Sequence, residues 1–374
     1  MKICIVTPNV VRYDGQGKVN CEVIQEALHR NHQVTVLSKT IEDSLLEHPL
    51  LTWIPISVEK YPTQLVKEFV FSLRCHHWLS QDQNSFDLLQ IDGASTSPRA
   101  HDFNVVHFVH TSWIESPIHT SKTKTGLYAG YQWLYTKLNS VWEKRLFSSA
   151  RSIIAVSYCI RDQLIEIGVP SSKIQVIHNG VDTQEFLPGA SQRNLLDLPT
   201  DVPLGLFVGD IKTNRKNLDS VLYSLRNLPE VHLAVVGSKE GSPYPDLAKS
   251  LGISERVHFM GHRKDVPKIM RSADFFVFPS RYEPFGMVIS EAMASGIPVV
   301  ISKNSGAAEI VDSTCGFVID AEDTDSLSES IAILSQDLVL CQTMGKSGRR
   351  IAEHHTWSSK ATSYINLFEE ACVG

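Results

Sequence analysis

Phe275-Phe276-Val277-Phe278-Pro279-Ser280-Arg281-Tyr282-Glu283-Pro284-Phe285-Gly286-Met287-Val288-Ile289-Ser290-Glu291-Ala292 carries the change of period that decides the fold. Four apolar residues without alternation read as a strand covered on both faces. A turn shaped by Pro284 and Gly286 follows, and then a helical pattern. The tight entry turns the amides of Phe285, Gly286 and Met287 outward at a helix start. Free N–H groups and the positive dipole end make such a start an anion site, and Gly286 lets backbone approach a ligand with no Cβ in the way. Glu283 precedes the helix and Glu291 lies two turns into it. An anion would repel both carboxylates, so they suit neutral hydroxyls, which a carboxylate accepts in pairs. The structural alternative is a helix turn with two solvated glutamates.

Outward from this stretch the same grammar repeats. Residues 2–8, 33–38, 87–91, 105–110, 152–156 and 173–177 read as strands of the first half, with helical patterns at 19–30, 127–147 and 158–167. In the second half, strands at 204–208, 232–236, 257–260, 275–278, 298–301 and 316–319 alternate with helices at 217–228, 245–251, 266–272, 287–294 and 326–334. Repeated βα order argues for α/β architecture with doubly wound parallel sheets. The length of 374 residues suits two domains. Residues 186–203 are polar, hold Pro188, Pro199, Pro203 and Gly189, and read as a linker. The expected division is 1–185, linker 186–203, 204–355, and a final helix in 356–374 that packs back toward the first domain.

Composition excludes several classes. A net charge of −6 offers no basic face for nucleic acid. Seven scattered cysteines without CxxC spacing suit neither a zinc site nor a disulfide framework, and point to reduced thiols in a cytoplasm. No apolar run nears the roughly 20 residues of a membrane span, and Met1-Lys2-Ile3-Cys4-Ile5-Val6 opens a strand at once, with no cleavable leader.

The acid–turn–acid stretch resembles glycosyltransferase family 4, retaining enzymes of GT-B architecture, in which two Rossmann-like domains face each other across a cleft. The resemblance covers nearly the whole chain. It implies that Glu283 holds hydroxyls of the transferred sugar and Glu291 those of the nucleotide ribose, while the backbone of Phe285, Gly286, Met287 and Val288 faces the diphosphate. In Val208-Gly209-Asp210-Ile211-Lys212-Thr213-Asn214-Arg215-Lys216 the family places an arginine soon after the glycine and a lysine at the helix start. Lys216 matches the lysine, Asp210 stands where the arginine is usual, and Arg215 supplies a second cation beside Lys216. The structural alternative is a solvated basic helix start. Gly237-Ser238, the backbone around Arg263, and Ser305-Gly306-Ala307-Ala308-Glu309 resemble further parts of the donor site. Arg12-Tyr13-Asp14-Gly15-Gln16-Gly17 resembles the N-terminal glycine loop, although Gln16 separates glycines that are usually adjacent; turn chemistry explains Gly15 and Gly17 equally well. His110, placed by this reading at a strand end, stands where the family has a histidine facing the sugar; a hydrogen-bonded structural histidine is the alternative. Ile177-His178-Asn179-Gly180 matches the close of the first domain.

The implied reaction moves a hexosyl group from a nucleotide-diphosphate sugar, UDP-hexose before GDP-mannose, to an acceptor hydroxyl on a glycan, lipid or small molecule. His110, Glu283, Arg215 and Lys216 form the catalytic set. No cofactor or metal is expected, as no Asp-x-Asp motif stands at a strand end. Two other readings use the same nucleotide site: an epimerase or hydrolase of nucleotide sugars, and a non-catalytic nucleotide-sugar-binding protein. Residues 113–147 mix Trp113, Tyr128, Tyr131, Trp133, Tyr135 and Trp142 with lysines and arginine, a composition for peripheral contact with an anionic membrane, an acceptor pocket, or inward aromatic packing.

Overall fold

The computed structural model describes residues 1–81, 85–96 and 100–373. The chain divides into two compact units, Met1–Asn179 with Trp357–Gly374, and Gly180–Thr356.

In the first unit the described residues form a seven-stranded parallel sheet. Its strands are β1 Lys2–Val6, β2 Gln33–Ser38, β3 Leu51–Pro55, β4 Leu88–Asp92, β5 His101–Val106, β6 Ala150–Ala155 and β7 Ile174–Val176. Their order across the sheet is β3-β2-β1-β4-β5-β6-β7. The direction of winding reverses between β1 and β4, and open sheets of this kind bind ligands beyond the carboxyl ends of the strands at that point. Ile3, Ile5, Val36, Ile91, Val105, Ile153 and Ile154 are buried on these strands, because helices cover both faces.

Three details differ from the sequence reading. Strand β3 was hidden because Leu-Thr-Trp-Ile-Pro is a partly exposed edge strand that ends in proline. Strand β5 runs from His101 to Val106 rather than over 105–110, and its buried polar residues bond locally: Asn104 Nδ2 lies 3.2 Å from His101 Nε2 and donates to Gly93 O at 3.0 Å. The first helix starts at Gly15, capped by Asp14, so Gly15 and Gly17 belong to its first turn and not to a loop. Gly17 is required by packing there, because a Cβ would lie 2.7 Å from Val11 O.

The helix Trp357–Val373 belongs to this unit and packs on the helix Gly15–His29. Arg30 donates to Glu369 at 2.9 Å and to Asn366 at 2.8 Å, while Tyr364, Ile365 and Phe368 are buried.

The second unit repeats the winding with β8 Leu204–Val208, β9 His232–Val236, β10 Val257–Gly261, β11 Phe275–Phe278, β12 Val299–Ser302 and β13 Gly316–Ile319. The order is β10-β9-β8-β11-β12-β13, so its reversal lies between β8 and β11. Residues 186–203, expected as a linker, are instead fastened to this unit. Gln192 N donates to Ser272 Oγ at 2.9 Å, Arg193 pairs with Asp274 at 2.8 Å, and Arg193 Nε donates to Ser272 O at 2.7 Å. The division falls at 179–180 and 356–357. Among the described residues no helix is long and apolar enough to cross a membrane.

Candidate functional site

Strand β11 delivers Pro279, Ser280 and Arg281 to the switch point of the second unit, and β8 delivers Gly209 and the loop that ends in Lys216. The two loops are tied together by backbone. Arg281 N donates to Arg215 O at 2.9 Å, Ser280 Oγ to the same carbonyl at 3.1 Å, and Arg281 Nη1 to Asn214 O at 2.9 Å. The Arg281 guanidinium also forks onto both oxygens of Asp219 at 2.9 Å. Tyr244 adds a hydroxyl to Thr213 O at 3.1 Å. Asn217, buried and left-handed at φ +62°, donates to Pro279 O at 2.9 Å and Ala321 O at 2.7 Å. A left-handed turn favours Asn, and these bonds fix where Lys216 emerges.

Lys216 is buried, with its ammonium hydrogen-bonded to Glu283 and 5.1 Å from the centre of the Phe278 ring. Gly209 gives the Phe278 ring room, since a Cβ there would lie 3.3 Å from Phe278 Cε2. Burial depresses the lysine's proton affinity, and Glu283 opposes that. Arg215, next along the chain, bears on Lys216 as a like charge, and among the described residues no carboxylate pairs with its guanidinium. Asp210 stays exposed and caps its own turn through Lys212 N at 3.0 Å. Two cations therefore meet one acid here, an arrangement that favours an added anion.

Glu283 is held by its backbone: its N–H donates to Asn304 O at 3.1 Å, and its carbonyl accepts from Gly306 N at 3.0 Å. The loop 305–309 thus supports Glu283. Gly286 opens the helix Met287–Ala294 at φ +93°, and no side chain caps that helix. A Cβ on Gly286 would lie 2.9 Å from Glu283 Cγ, so the glycine serves the acid as well as the turn. Phe285 is buried; Met287, Val288 and Glu291 are partly exposed on this first stretch of helix. Arg263, after β10, spends its guanidinium on both oxygens of Asp265 at 2.8 and 2.7 Å, which leaves its backbone for a ligand.

The first unit holds a concavity of about 260 Å³ at the carboxyl ends of β1, β4 and β5. His110 lines it as the first residue of the helix His110–Glu115, not as a strand end. Glu143, buried in the helix Leu127–Ser149, caps that start: it accepts from His110 N at 2.8 Å, Thr111 N at 2.7 Å and Thr111 Oγ1 at 2.7 Å. Burial lowers the His110 pKa to about 4 and raises that of Glu143 to about 7 despite those three donors. Nδ1 of His110 is buried without a hydrogen-bond partner, and so is Nε2 of His107 across the same cavity. Asp92, also buried, is held by neutral amides from Gln16 (3.2 Å), Gln90 (2.9 Å) and Asn20. Gln16 thus explains why the two glycines are separated: its carboxamide reaches the acid at the end of β4.

The structure brings Gly209, Arg215, Lys216, Glu283 and Gly286 together in the second unit. It gathers His110, Gln16 and Asp92 in the first, with Gly15 and Gly17 in the neighbouring helix turn. Sequence reasoning missed Glu143, Asn217, Arg281, Asp219 and His107. The first four act on partners tens of residues away, so no local spacing marks them. His107 stands one residue past the end of β5 at Val106, where no strand period marks it.

Two family models cover the chain in succession: "Glycosyltransferase Family 4" over residues 13–185 and "Glycosyl transferases group 1" over residues 190–351. An uncharacterized glycosyltransferase of Methanocaldococcus jannaschii is 26% identical over 99% of this chain and 98% of its own. The D-inositol 3-phosphate glycosyltransferase of Mycolicibacterium smegmatis is 30% identical over 69% of this chain, an alignment that spans 63% of that relative's length. Among solved structures, HepE of Anabaena in complex with UDP-glucose superposes with a TM-score of 0.73 at 20% identity, over 99% of this chain and all of that one.

Proposed function

From the premise that this chain belongs to glycosyltransferase family 4, we propose that it is a retaining hexosyltransferase, moving a hexosyl group from a nucleotide-diphosphate sugar, UDP-hexose before GDP-mannose, to an acceptor hydroxyl. The observation that carries this reading is the buried Lys216 ammonium set against Glu283 beside the uncapped start of the Met287 helix, at the switch point of a doubly wound sheet. UDP-glucose bound to a relative of the same fold supports the choice of donor.

Departure of the nucleotide leaves charge on a diphosphate. Lys216, Arg215 and the amides of Gly286, Met287 and Val288 neutralise it, the largest single contribution such a site makes. Glu283 accepts sugar hydroxyls and Glu291 the ribose hydroxyls. The leaving phosphate takes the acceptor proton, so no separate base is required. His110 remains a neutral imidazole at physiological pH and supplies a hydrogen bond, not charge, while the polar cavity around it takes the acceptor. The transfer needs no divalent ion in this reading: Asp323-Thr324-Asp325 serves as a helix cap, with Asp323 accepting from Ser326 N at 2.9 Å and Ser326 Oγ at 2.7 Å.

A thermal-shift series with UDP-, GDP- and ADP-hexoses tests the donor. A ligand at about 100 times its dissociation constant adds roughly 2.7 kcal/mol of stability. UDP-hexoses are expected to raise the melting temperature of the wild type and not of Lys216→Met. Glu283→Ala is expected to keep nucleotide binding and lose transfer. No shift with any nucleotide sugar would sink the assignment, and free or isomerised sugar formed from UDP-hexose alone would identify a hydrolase or epimerase instead.

A further inference from the structure

Through its middle, residues 134–145, the helix Leu127–Ser149 is inside out. Its buried residues there are Thr136, Asn139, Ser140 and Glu143, whereas Leu134, Leu138 and Val141 are exposed; the apolar Ala129, Leu146 and Phe147 are buried nearer its ends. A helix stable in water has the reverse arrangement. The polar inner face is explained by the cavity it lines: Glu143 caps the His110 helix, and Asn139 and Tyr135 donate to Glu68. Water offers no reason for the apolar outer face.

A second helix, Gln64–Leu79, extends that face, exposing Val66, Phe69 and Leu73 at helical spacing, the last two each 49% exposed. The Phe69 and Trp142 rings sit 5.9 Å apart, and an open groove of about 500 Å³ runs between the helices. A contiguous apolar surface marks contact with a partner or another phase.

The charges say which. Lys137, Lys144 and Arg145 lie exposed on the same helix, and among the described residues none has a carboxylate partner. The acids of the two helices are engaged elsewhere, Glu68 by Tyr135 and Asn139, Glu143 by His110 and Thr111. A second copy of the chain would bring these cations against themselves. An anionic lipid surface accepts both the apolar stripe and the positive charge.

We propose that these two helices dock the first unit on an anionic bilayer, with Phe69, Leu73, Leu138 and Val141 among the acyl chains and Lys137, Lys144 and Arg145 at the lipid phosphates. The surface is narrower than residues 113–147, since Trp113 lies outside it, and it gains a helix that composition did not single out. The opposite sides of the same helices line the His110 cavity, so docking sets that cavity close to lipid headgroups.

Vesicle co-sedimentation tests it. Wild-type protein is expected to bind vesicles of phosphatidylcholine with 30 mol% phosphatidylglycerol (~30%, a composition chosen to give the surface potential on which juxtamembrane cations act) and to release them as salt is raised. Brominated acyl chains are expected to quench tryptophan emission. Each neutralised cation weakens binding about fivefold, so Lys137→Gln/Lys144→Gln/Arg145→Gln costs roughly 100-fold. Phe69→Asp/Leu138→Asp abolishes binding; both positions are solvent-exposed, and unchanged circular dichroism and melting verify the fold. Wild-type protein that ignores anionic vesicles at low salt overturns the proposal, as does undiminished binding by the variants. Self-association lost in Phe69→Asp/Leu138→Asp without vesicle binding identifies a second copy as the occupant and also overturns it. Vesicle binding is read without substrate, so its failure leaves the transferase reading untouched.

Discussion

Replacing Gly286 by alanine tests the turn on which the proposed donor site is built. The residue sits at φ +93°, and an added Cβ would approach Glu283 Cγ to 2.9 Å and Ile289 Cδ1 to 3.1 Å. Placing an L-residue in left-handed backbone costs roughly 1–2 kcal/mol. Overpacking adds about 1–3 kcal/mol, because Glu283 is not free to swing away: Lys216 holds its carboxylate, and Asn304 and Gly306 hold its backbone. Together the penalty for Gly286→Ala is about 2–5 kcal/mol. Gly252→Ala separates the two contributions, since Gly252 has φ +69° but nothing within 4 Å of a Cβ; it carries only the backbone cost. Urea denaturation of both variants, with equal m-values, gives the difference directly. Calorimetric titration with UDP-glucose supplies a second readout. If the clash is relieved by displacing Glu283, one charge-assisted hydrogen bond is lost, worth about 1.5–3 kcal/mol, or roughly 10- to 100-fold in affinity. Gly252→Ala should bind normally. Equal destabilisation of the two variants, with unchanged UDP-glucose affinity in both, would refute the argument that Gly286 exists to seat this acid.

Lys216→Met strands a largely buried carboxylate and should destabilise the second unit by about 3–5 kcal/mol, most of it recovered in Lys216→Met/Glu283→Gln; a double-mutant cycle with no coupling would show that the two groups do not interact in solution. His110 and Glu143 should produce opposite pH slopes. The folded pKa of His110 is lowered from 6.5 to about 4, so the unfolded chain takes the proton first and the stability of the neutral ring, present above pH 6.5, is lost as pH falls toward 4. The Glu143 pKa is raised from 4.5 to about 7, so the folded state takes the proton first and its advantage, full below pH 4.5, is lost as pH rises through 7. Each window is worth about 3 kcal/mol, read as the change in urea-midpoint stability between wild type and His110→Gln or Glu143→Gln at pH 4.5, 6 and 7.5; parallel curves would contradict both assignments. Asn217→Ala leaves Pro279 O and Ala321 O without their donor and should cost about 2–4 kcal/mol, while weakening UDP-glucose binding through the displaced Lys216; an unchanged melting temperature would remove Asn217 from the framework.

The doubly wound sheets were legible because the signal is local and redundant. Buried parallel strands such as Leu204–Val208 and Phe275–Phe278 are apolar without alternation, and each is followed by a glycine- or proline-marked turn and a helix. Legibility failed where a strand departs from that composition. Strand β3 is a half-exposed edge ending in Pro55, and β5 carries the buried polar residues His101 and Asn104, whose Nε2 and Nδ2 lie 3.2 Å apart. The boundary between units was misplaced for a related reason. Proline and polarity marked residues 186–203 as a linker, yet Arg193 donates to Ser272 O and pairs with Asp274, which binds the segment to the second unit.

Site residues divide along the same line, and the division has a physical basis. Glu283, Gly286 and Lys216 could be picked out because each stands in a turn that joins a strand to a helix, and the structure brings them together there, Lys216 on Glu283 and Gly286 at φ +93°. Glu143, Arg281 and Asn217 could not, because what each one fixes lies 33, 62 to 67, and 62 to 104 residues away. A buried carboxylate capping a helix from another helix has no sequence period, and a buried asparagine joining two strand ends looks like any turn residue. Their arrangement still constrains the chemistry. Arg281 is saturated by Asp219, Glu322 and Asn214 O, so it has no charge to lend a ligand, whereas Arg215, one residue before Lys216, has its carbonyl anchored and its guanidinium unpaired among the described residues. In the proposed donor site, Arg215 is the cation we expect to stand in for the one absent at Asp210. Arg215→Gln should weaken UDP-glucose binding by roughly 10-fold, the worth of one charge-assisted hydrogen bond, and Arg281→Gln should lower stability more than its effect on the donor would require. An Arg215→Gln variant with full affinity would mean that Lys216 and the helix amides hold the diphosphate without a second cation.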